Sequence, residues 1–158
     1  MDQSSSPIEI VRWGDPDLPP GLDALLQEAV ETDHEWVADF RPAWEAGAFA
    51  GDGEALFVAF GGGALLAMAT ISADPFVEDK ATGRLRFIYV RVAARRRGIA
   101  EGLVAACLGR ARGTWRRLRL HTDNPVAAQL YERYGFRPAA GEWRATHIAD
   151  IAPLARWP

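Results

Sequence analysis

Three consecutive arginines, Arg95, Arg96 and Arg97, followed by Gly98, close an apolar, β-branched run over residues 85–92. Beyond them Ile99, Leu103, Ala106, Cys107 and Ala111 recur at helical spacing. That order reads as a strand, a tight basic turn and a helix N-terminus. The first N–H groups of a helix lack intrahelical acceptors and sit at the positive end of its dipole, which suits them to phosphate. Gly98 has no Cβ to hold a ligand away, and guanidiniums match phosphate oxygens in charge and geometry. The chemistry on offer is diphosphate binding. A solvated basic turn is the plainer alternative, and a second constellation decides between the two.

That constellation is residues 124–136, Asn-Pro-Val-Ala-Ala-Gln-Leu-Tyr-Glu-Arg-Tyr-Gly-Phe. Asn124 suits an N-cap, Pro125 the first helical position and Gly135 the left-handed position past the end, so a helix of about three turns is predicted. Ala127 and Tyr131 lie one turn apart on one face, a small residue and a phenol that could line a narrow slot beside a ligand. Tyr131 as an ordinary core tyrosine is the alternative.

Together the two stretches resemble the GNAT superfamily of N-acetyltransferases. Its acyl-CoA loop reads Gln/Arg-x-x-Gly-x-Gly/Ala, met here by Arg95, Gly98 and Ala100. Its later Asn-x-x-Ala-x-x-x-Tyr-x-x-x-Gly-Phe pattern falls on Asn124, Ala127, Tyr131, Gly135 and Phe136. The resemblance covers residues 85–137 directly and the remainder by element order. It implies acetyl-CoA as co-substrate. Backbone groups of Val90, Arg91 and Val92 would pair with the pantetheine arm, and the turn over Arg95, Arg96, Arg97, Gly98, Ile99 and Ala100 would hold the diphosphate. Asn124 and Ala127 would border the cofactor, and Tyr131 would be the general acid that protonates the departing thiolate.

Acyl transfer to an amine needs a neutral nitrogen. For a lysine-like ammonium of pKa about 10.4, deprotonation at pH 7 costs roughly 4.6 kcal/mol; for an α-amine near 7.7–8.0 it costs about one pH unit. The family often supplies a glutamate on the strand before the turn, but residues 85–92 contain no acid. The base candidates are His121 and the adjacent Asp123, acting directly or through water, with weaker claims from His34 and His147. The acids Glu28, Glu31, Asp33, Glu35 and Asp39 make either a solvated helix face or an anionic mouth for cationic amines. In the second reading Asp33, Glu35 and Trp36 contact the acceptor, Trp36 by stacking on a cation. No His/Cys/carboxylate group has metal-ligand spacing, so no metal is expected.

The elements that must position these groups fit a single domain over 1–158, long enough for a real core. With 49% hydrophobic and 25% charged residues the composition is that of a soluble globular protein. No apolar run approaches the ~18 residues of a membrane span, and the first residues lack the pattern of a secretory signal. The lone Cys107 falls on an apolar helical face and reads as buried; a cytoplasmic location is the expectation. Residues 1–80 carry 16 acids against 3 bases, and residues 81–158 carry 5 acids against 15 arginines. A basic half can mean nucleic acid, but a pI of about 5.6 and the lack of any such motif argue against it.

Strands are predicted at 8–13, 55–60, 64–72, 85–92, 118–122 and 143–151, with another beginning at Phe136. Helices are predicted over 22–30, after the arginine turn and after Asn124, with a second helix or turn around Trp36–Trp44 interrupted by Pro42. Gly61-Gly62-Gly63 marks a hairpin; it lacks a Gly-Lys-Ser/Thr ending, so a Walker-type phosphate loop is excluded. The expected fold is α/β, a GNAT-type mixed, mostly antiparallel sheet flanked by helices. The expected function is acetyl transfer to a primary amine, on a small cationic molecule or a peptide α-amine. A non-catalytic acyl-CoA-binding regulatory module is the alternative. Partners are limited to acetyl-CoA and the acceptor, with a homodimer left open and no membrane.

Overall fold

The computed structural model describes residues 6–151. Seven strands form one sheet: β1 (Ile8–Arg12), β2 (Ala55–Gly61), β3 (Ala64–Ala73), β4 (Thr82–Val90), β5 (Arg117–Leu120), β6 (Arg137–Pro138) and β7 (His147–Asp150). Their order across the sheet is β1-β2-β3-β4-β5-β7-β6. Every neighbouring pair is antiparallel except β4 and β5. The helices are α1 (Leu22–Glu31), α2 (Phe40–Glu45), α3 (Ile99–Ala111) and α4 (Pro125–Arg133). This is the mixed, mostly antiparallel sheet with flanking helices that the sequence predicts. Among the described residues no helix is long and apolar enough to cross a membrane.

Strand alternation builds the two cores. Ala67, Ala69, Ile71 and Leu85 face α3 and α4, packing on Leu103, Val104, Cys107 and Tyr131. Leu56, Val58, Met68 and Phe87 face the other way, onto Leu22, Leu25, Ala29 of α1 and onto Val37 and Phe40. The glycine hairpin forms between β2 and β3, with Gly62 and Gly63 at φ +58° and +81°, the pair of positive φ angles of a two-residue turn.

Two irregularities in β4 shape everything that follows. First, β3 and β4 slip by one residue: Met68 pairs with Tyr89 but Thr70 pairs with Arg86, so two residues of β4 oppose Ala69 alone. Phe87 takes φ +57° at this bulge, a left-handed conformation that costs a non-glycine residue of order 1–3 kcal/mol. The slip puts Phe87 and Tyr89 on the α1 side while Leu85, Ile88 and Val90 pack with α3. Second, β4 pairs with β5 only from Thr82–Arg117 to Arg84–Arg119. Beyond Arg84 the two strands part, and residues 85–90 of β4 line one wall of a split in the sheet.

Local expectations needed three adjustments. Pro42 does not interrupt a helix; it is the third residue of α2, where its missing N–H has no intrahelical role, and Glu35–Asp39 before it form one 3-10 stretch. The predicted 118–122 strand ends at Leu120, and the Thr122 N–H is taken by Thr146 Oγ1 at 3.0 Å. The last strand is His147–Asp150 rather than 143–151, because Arg144 adopts φ +55° and the Trp143 and Arg144 carbonyls accept hydrogen bonds from Arg119 and Arg84.

Candidate active site

The arginine turn follows directly from the split edge of β4. After Val92–Ala94, a short 3-10 turn, Arg96 takes φ +65° and Gly98 caps α3 at φ +75°. The first helical bond is Gly102 N–H to Gly98 O at 3.1 Å, which leaves the N–H groups of Ile99, Ala100 and Glu101 without a helical acceptor. A Cβ built on Gly98 would meet nothing within 4 Å, so the surface there is open to a ligand. Arg95 and Arg96 are exposed, and Arg97 is half-buried with Nη2 donating to Ser6 O at 3.1 Å.

Two of the backbone groups expected to meet a pantetheine arm are engaged by side chains. The Val90 carbonyl accepts from Arg95 Nε at 3.0 Å, and the Val92 N–H donates to Glu28 Oε2 at 3.0 Å. The Arg91 N–H faces the other side of the chain, donating to Leu66 O of β3 at 2.8 Å, so Val90 and Val92 are the two on the split edge. An arm paired along this edge would take the places of Arg95 and Glu28.

Glu28 is the centre of a network the sequence does not announce. Its carboxylate accepts from Tyr89 Oη at 2.6 Å and Arg91 Nε at 3.2 Å as well as from Val92. Tyr89 Oη lies 3.2 Å from Thr32 Oγ1, which in turn lies 3.1 Å from His34 Nδ1. Burial pushes the Glu28 carboxyl up, but the bonds from Tyr89, Val92 and Arg91 outweigh it and hold the group below its ordinary value. Burial and the Glu28 contact raise Tyr89. Glu28 is therefore removed from the anionic mouth that the acidic stretch suggested. Asp33 and Glu35 are exposed, Asp33 at φ +66°, and Trp36 is 44% exposed with its ring edge-on to His34.

Across the split, α4 begins as predicted. Asn124 Oδ1 accepts from the N–H groups of Val126 and Ala127, so its side chain is committed to capping the helix. Tyr131 is buried, packed edge-on against Phe136 with ring centres 6.0 Å apart. Burial, reinforced by Cys107, pushes its phenol up to about 12, so it keeps its proton throughout the neutral range. His121 and Asp123 follow the end of β5, with Nε2 and Oδ2 3.3 Å apart; both are exposed. His147 is buried in β7 with Nδ1 against Thr146 Oγ1 at 2.9 Å.

The split's α1 side carries a second unannounced cluster. Asp74, buried in the loop before β4, receives Arg119 Nη1 at 2.8 Å and Arg84 Nη1 at 3.4 Å. Arg86 and Arg144 complete the group: Arg84, Arg86 and Arg144 place their guanidiniums 4.8, 5.9 and 4.6 Å from the centre of the Phe76 ring. A groove of about 390 Å³ lies elsewhere, between Trp13, Trp44, Glu54 and Arg110, and contains none of the residues expected to bind acetyl-CoA or to move a proton.

A strand–turn–helix anion site thus stands beside a parted pair of strands, with a capped helix and a buried phenol opposite. Residues 18–136 match the acetyltransferase (GNAT) family. The chain therefore belongs to the GNAT family of acetyltransferases, and as a member it is an N-acetyltransferase. An assigned acetyltransferase from Exiguobacterium sp. 255-15 is similar over 91% of this chain and 93% of its own, at 30% identity and a TM-score of 0.81. An N-acetyltransferase from Staphylococcus aureus Mu50 shares the fold at 20% identity, covering 92% of this chain and 99% of its own with a TM-score of 0.67. A GNAT family acetyltransferase from Elizabethkingia anophelis, solved with acetyl-CoA bound, does so at 18% identity, 91% and 98% coverage and a TM-score of 0.60. No curated protein sequence matches the chain.

Proposed function

We propose that the protein transfers the acetyl group of acetyl-CoA to a primary amine by direct attack on the thioester, in the cytosol. The observation that carries this is the join of the split edge of β4 to the turn capped by Gly98. A diphosphate on the Ile99, Ala100 and Glu101 N–H groups leaves the pantetheine arm to run back along residues 92–88 into the split. The acetyl-CoA in the Elizabethkingia relative supports the same co-substrate here.

In the split the amine nitrogen attacks the thioester carbonyl, the C–S bond breaks, the nitrogen loses a proton and the sulfur gains one. His121, oriented by Asp123, takes the proton from nitrogen, directly or through water. Tyr131 faces the leaving sulfur. Full transfer from a phenol at about 12 to a thiolate of pKa about 8.5 is uphill by roughly 5 kcal/mol, so Tyr131 supports the sulfur as a hydrogen-bond donor while charge develops, and the thiolate takes its proton from water as CoA leaves.

With no carboxylate on β4 after the split opens, the acceptor is an amine that deprotonates readily, such as an α-amine, rather than an isolated alkylamine. Of the two acceptor types, the α-amine is the better supported, since Glu28 is engaged with Tyr89, Arg91 and Val92 and adds no free charge to an anionic mouth. The test is release of free CoA on mixing the enzyme with acetyl-CoA and a panel of α-amines, polyamines and alkylamines. Turnover of α-amines is expected. Tight acetyl-CoA binding with no thiol release for any amine would instead make the protein an acyl-CoA-binding module.

A further inference from the structure

We propose that the acceptor carries a carboxylate as well as its amine, and that Arg86 binds that carboxylate while the nitrogen meets the thioester. This deepens the function proposed above and rests on it.

The first observation is a charge imbalance. Four guanidiniums, those of Arg84, Arg86, Arg119 and Arg144, gather around Phe76 and Asp74. Asp74 alone among the described residues makes an ion pair with any of them, and it is shared by Arg84 and Arg119. Their other bonds go to the carbonyls of Arg144 and Trp143, which orient the guanidiniums without neutralising them. Arg84 and Arg119 are buried and Arg86 is half-buried, against the one carboxylate of Asp74, while Arg144 is exposed to solvent. Withdrawing cations from water in excess of counter-charge is unfavourable, so the surplus at the cleft wall is an anion site in waiting.

The second observation singles out Arg86. It forms no ion pair; Asp74, already bonded to Arg84 and Arg119, and Asp39 act on it only through space. Its guanidinium lies against three rings, 4.7 Å from the centre of Phe87, 5.9 Å from Phe76 and 6.0 Å from Phe49. Its Nε is enclosed and has no partner. The residue as a whole is half-buried, so the terminal nitrogens are the ones left to meet a ligand. An aromatic surround fixes the plane of the fork, and a fixed fork matches a carboxylate through two parallel bonds. Burial also lowers the Arg86 pKa, which an incoming anion would reverse.

The third observation is position. Arg86 is two residues beyond Arg84, the last residue of β4 paired with β5, so it stands where the split opens. Thr70 Oγ1 holds its carbonyl at 2.7 Å, and alternation from Leu85, which packs with α3, puts it on the α1 side, away from the diphosphate turn. The acidic group and the acetyl group thus approach from opposite sides of β4, which leaves the amine between them. Amine and carboxylate in one small molecule describe an amino acid or a short peptide-like acid.

The experiment compares amino acids of two to four carbons, α- and ω-, with their own amides and with the corresponding aminophosphonates. Wild-type enzyme is set beside Arg86→Met, which keeps the apolar stem against the rings, and Arg86→Lys. The expected result is a kcat/KM at least about tenfold higher for a carboxylate than for its amide. Arg86→Met should remove that preference through the acceptor KM, leave the acetyl-CoA KM within about twofold, and be partly rescued by Arg86→Lys. A second measurement titrates N-acetyl acids and N-acetyl amides calorimetrically into the CoA-saturated enzyme, which needs no turnover. Acid binding that Arg86→Met abolishes upholds the anion site even if no amine is acetylated, in which case only the proposed activity falls. Equal handling of acids and amides in both measurements overturns the inference, as does a preference for aminophosphonates alone or a preference that survives in Arg86→Met.

Discussion

The two ends of β4 each hold a carboxylate brought from elsewhere in the chain, and they treat it in opposite ways. At the C-terminal end Glu28 meets a phenol, one guanidinium and a backbone N–H, all of them donors to one carboxylate, and charge is balanced one for one. At the N-terminal end Asp74 is shared between two guanidiniums while further arginines stand close by. The first arrangement locks α1 to the strand and has no charge left for a ligand. The second has cation to offer. One carboxylate more or fewer among the arginines decides whether a polar cluster is a fastening or a receptor.

Breaking the overloaded end should have the largest effect. Asp74→Ala leaves Arg84 and Arg119 buried without any counter-ion, at a cost of about 3–5 kcal/mol in urea unfolding. A loss below about 1 kcal/mol would show that the guanidiniums tolerate one another and that Asp74 is not what holds them. Next comes the turn beyond the balanced end. Gly98→Glu sets a carboxylate where a phosphate is to bind and asks a residue with a Cβ to hold φ +75°. Acetyl-CoA affinity by calorimetry should fall by about 10² or more while the circular dichroism spectrum is kept; unchanged affinity in the folded variant would remove the turn from the cofactor site.

Across the split, Tyr131→Phe keeps the ring against Phe136 and loses only the hydroxyl. A drop in kcat on the order of 10² is expected with acetyl-CoA KM little changed; turnover within about twofold of wild type would make Tyr131 a packing residue. The smallest change concerns the balanced end. Glu28→Gln keeps an acceptor for Tyr89 and loses the ion pair with Arg91, a loss of about 1 kcal/mol at pH 7. Because the folded carboxyl lies below its unfolded value of about 4.5, its stabilisation is whole above that pH and fades as pH falls through the folded value. The gap between variant and wild type should therefore close in acid. A gap that stayed constant down to pH 3 would mean the charge of Glu28 contributes nothing.

What the sequence reveals and what it hides divide along contact distance. The turn at Gly98 and the helix opened by Asn124 were legible because caps and left-handed positions depend on neighbours a few residues away. The arginine cluster was not. Arg84 and Arg86 alternate with Leu85, a pattern identical to that of a strand with one solvated face, and the Asp74 that receives Arg119 is 45 residues distant from it. Tyr89 and Glu28 are 61 residues apart, so a helix carboxylate standing beside a glutamate-free strand left no local trace. The acidic stretch over 28–39 looked uniform in sequence, yet folding separates Glu28 from the exposed Asp33 and Glu35.

The bulge at Phe87 acts on β4 as a frameshift acts on a reading frame. Upstream of it, even-numbered residues look toward α1; downstream, odd-numbered ones do. Tyr89 reaches Glu28 and Arg86 reaches the aromatic rings only because the phase changes between them. Point substitutions can therefore retune either half of the strand independently, while loss or gain of one residue would exchange the walls of the split wholesale. The facing of β4 is thus set by its length, and the chemistry of each wall by its residues.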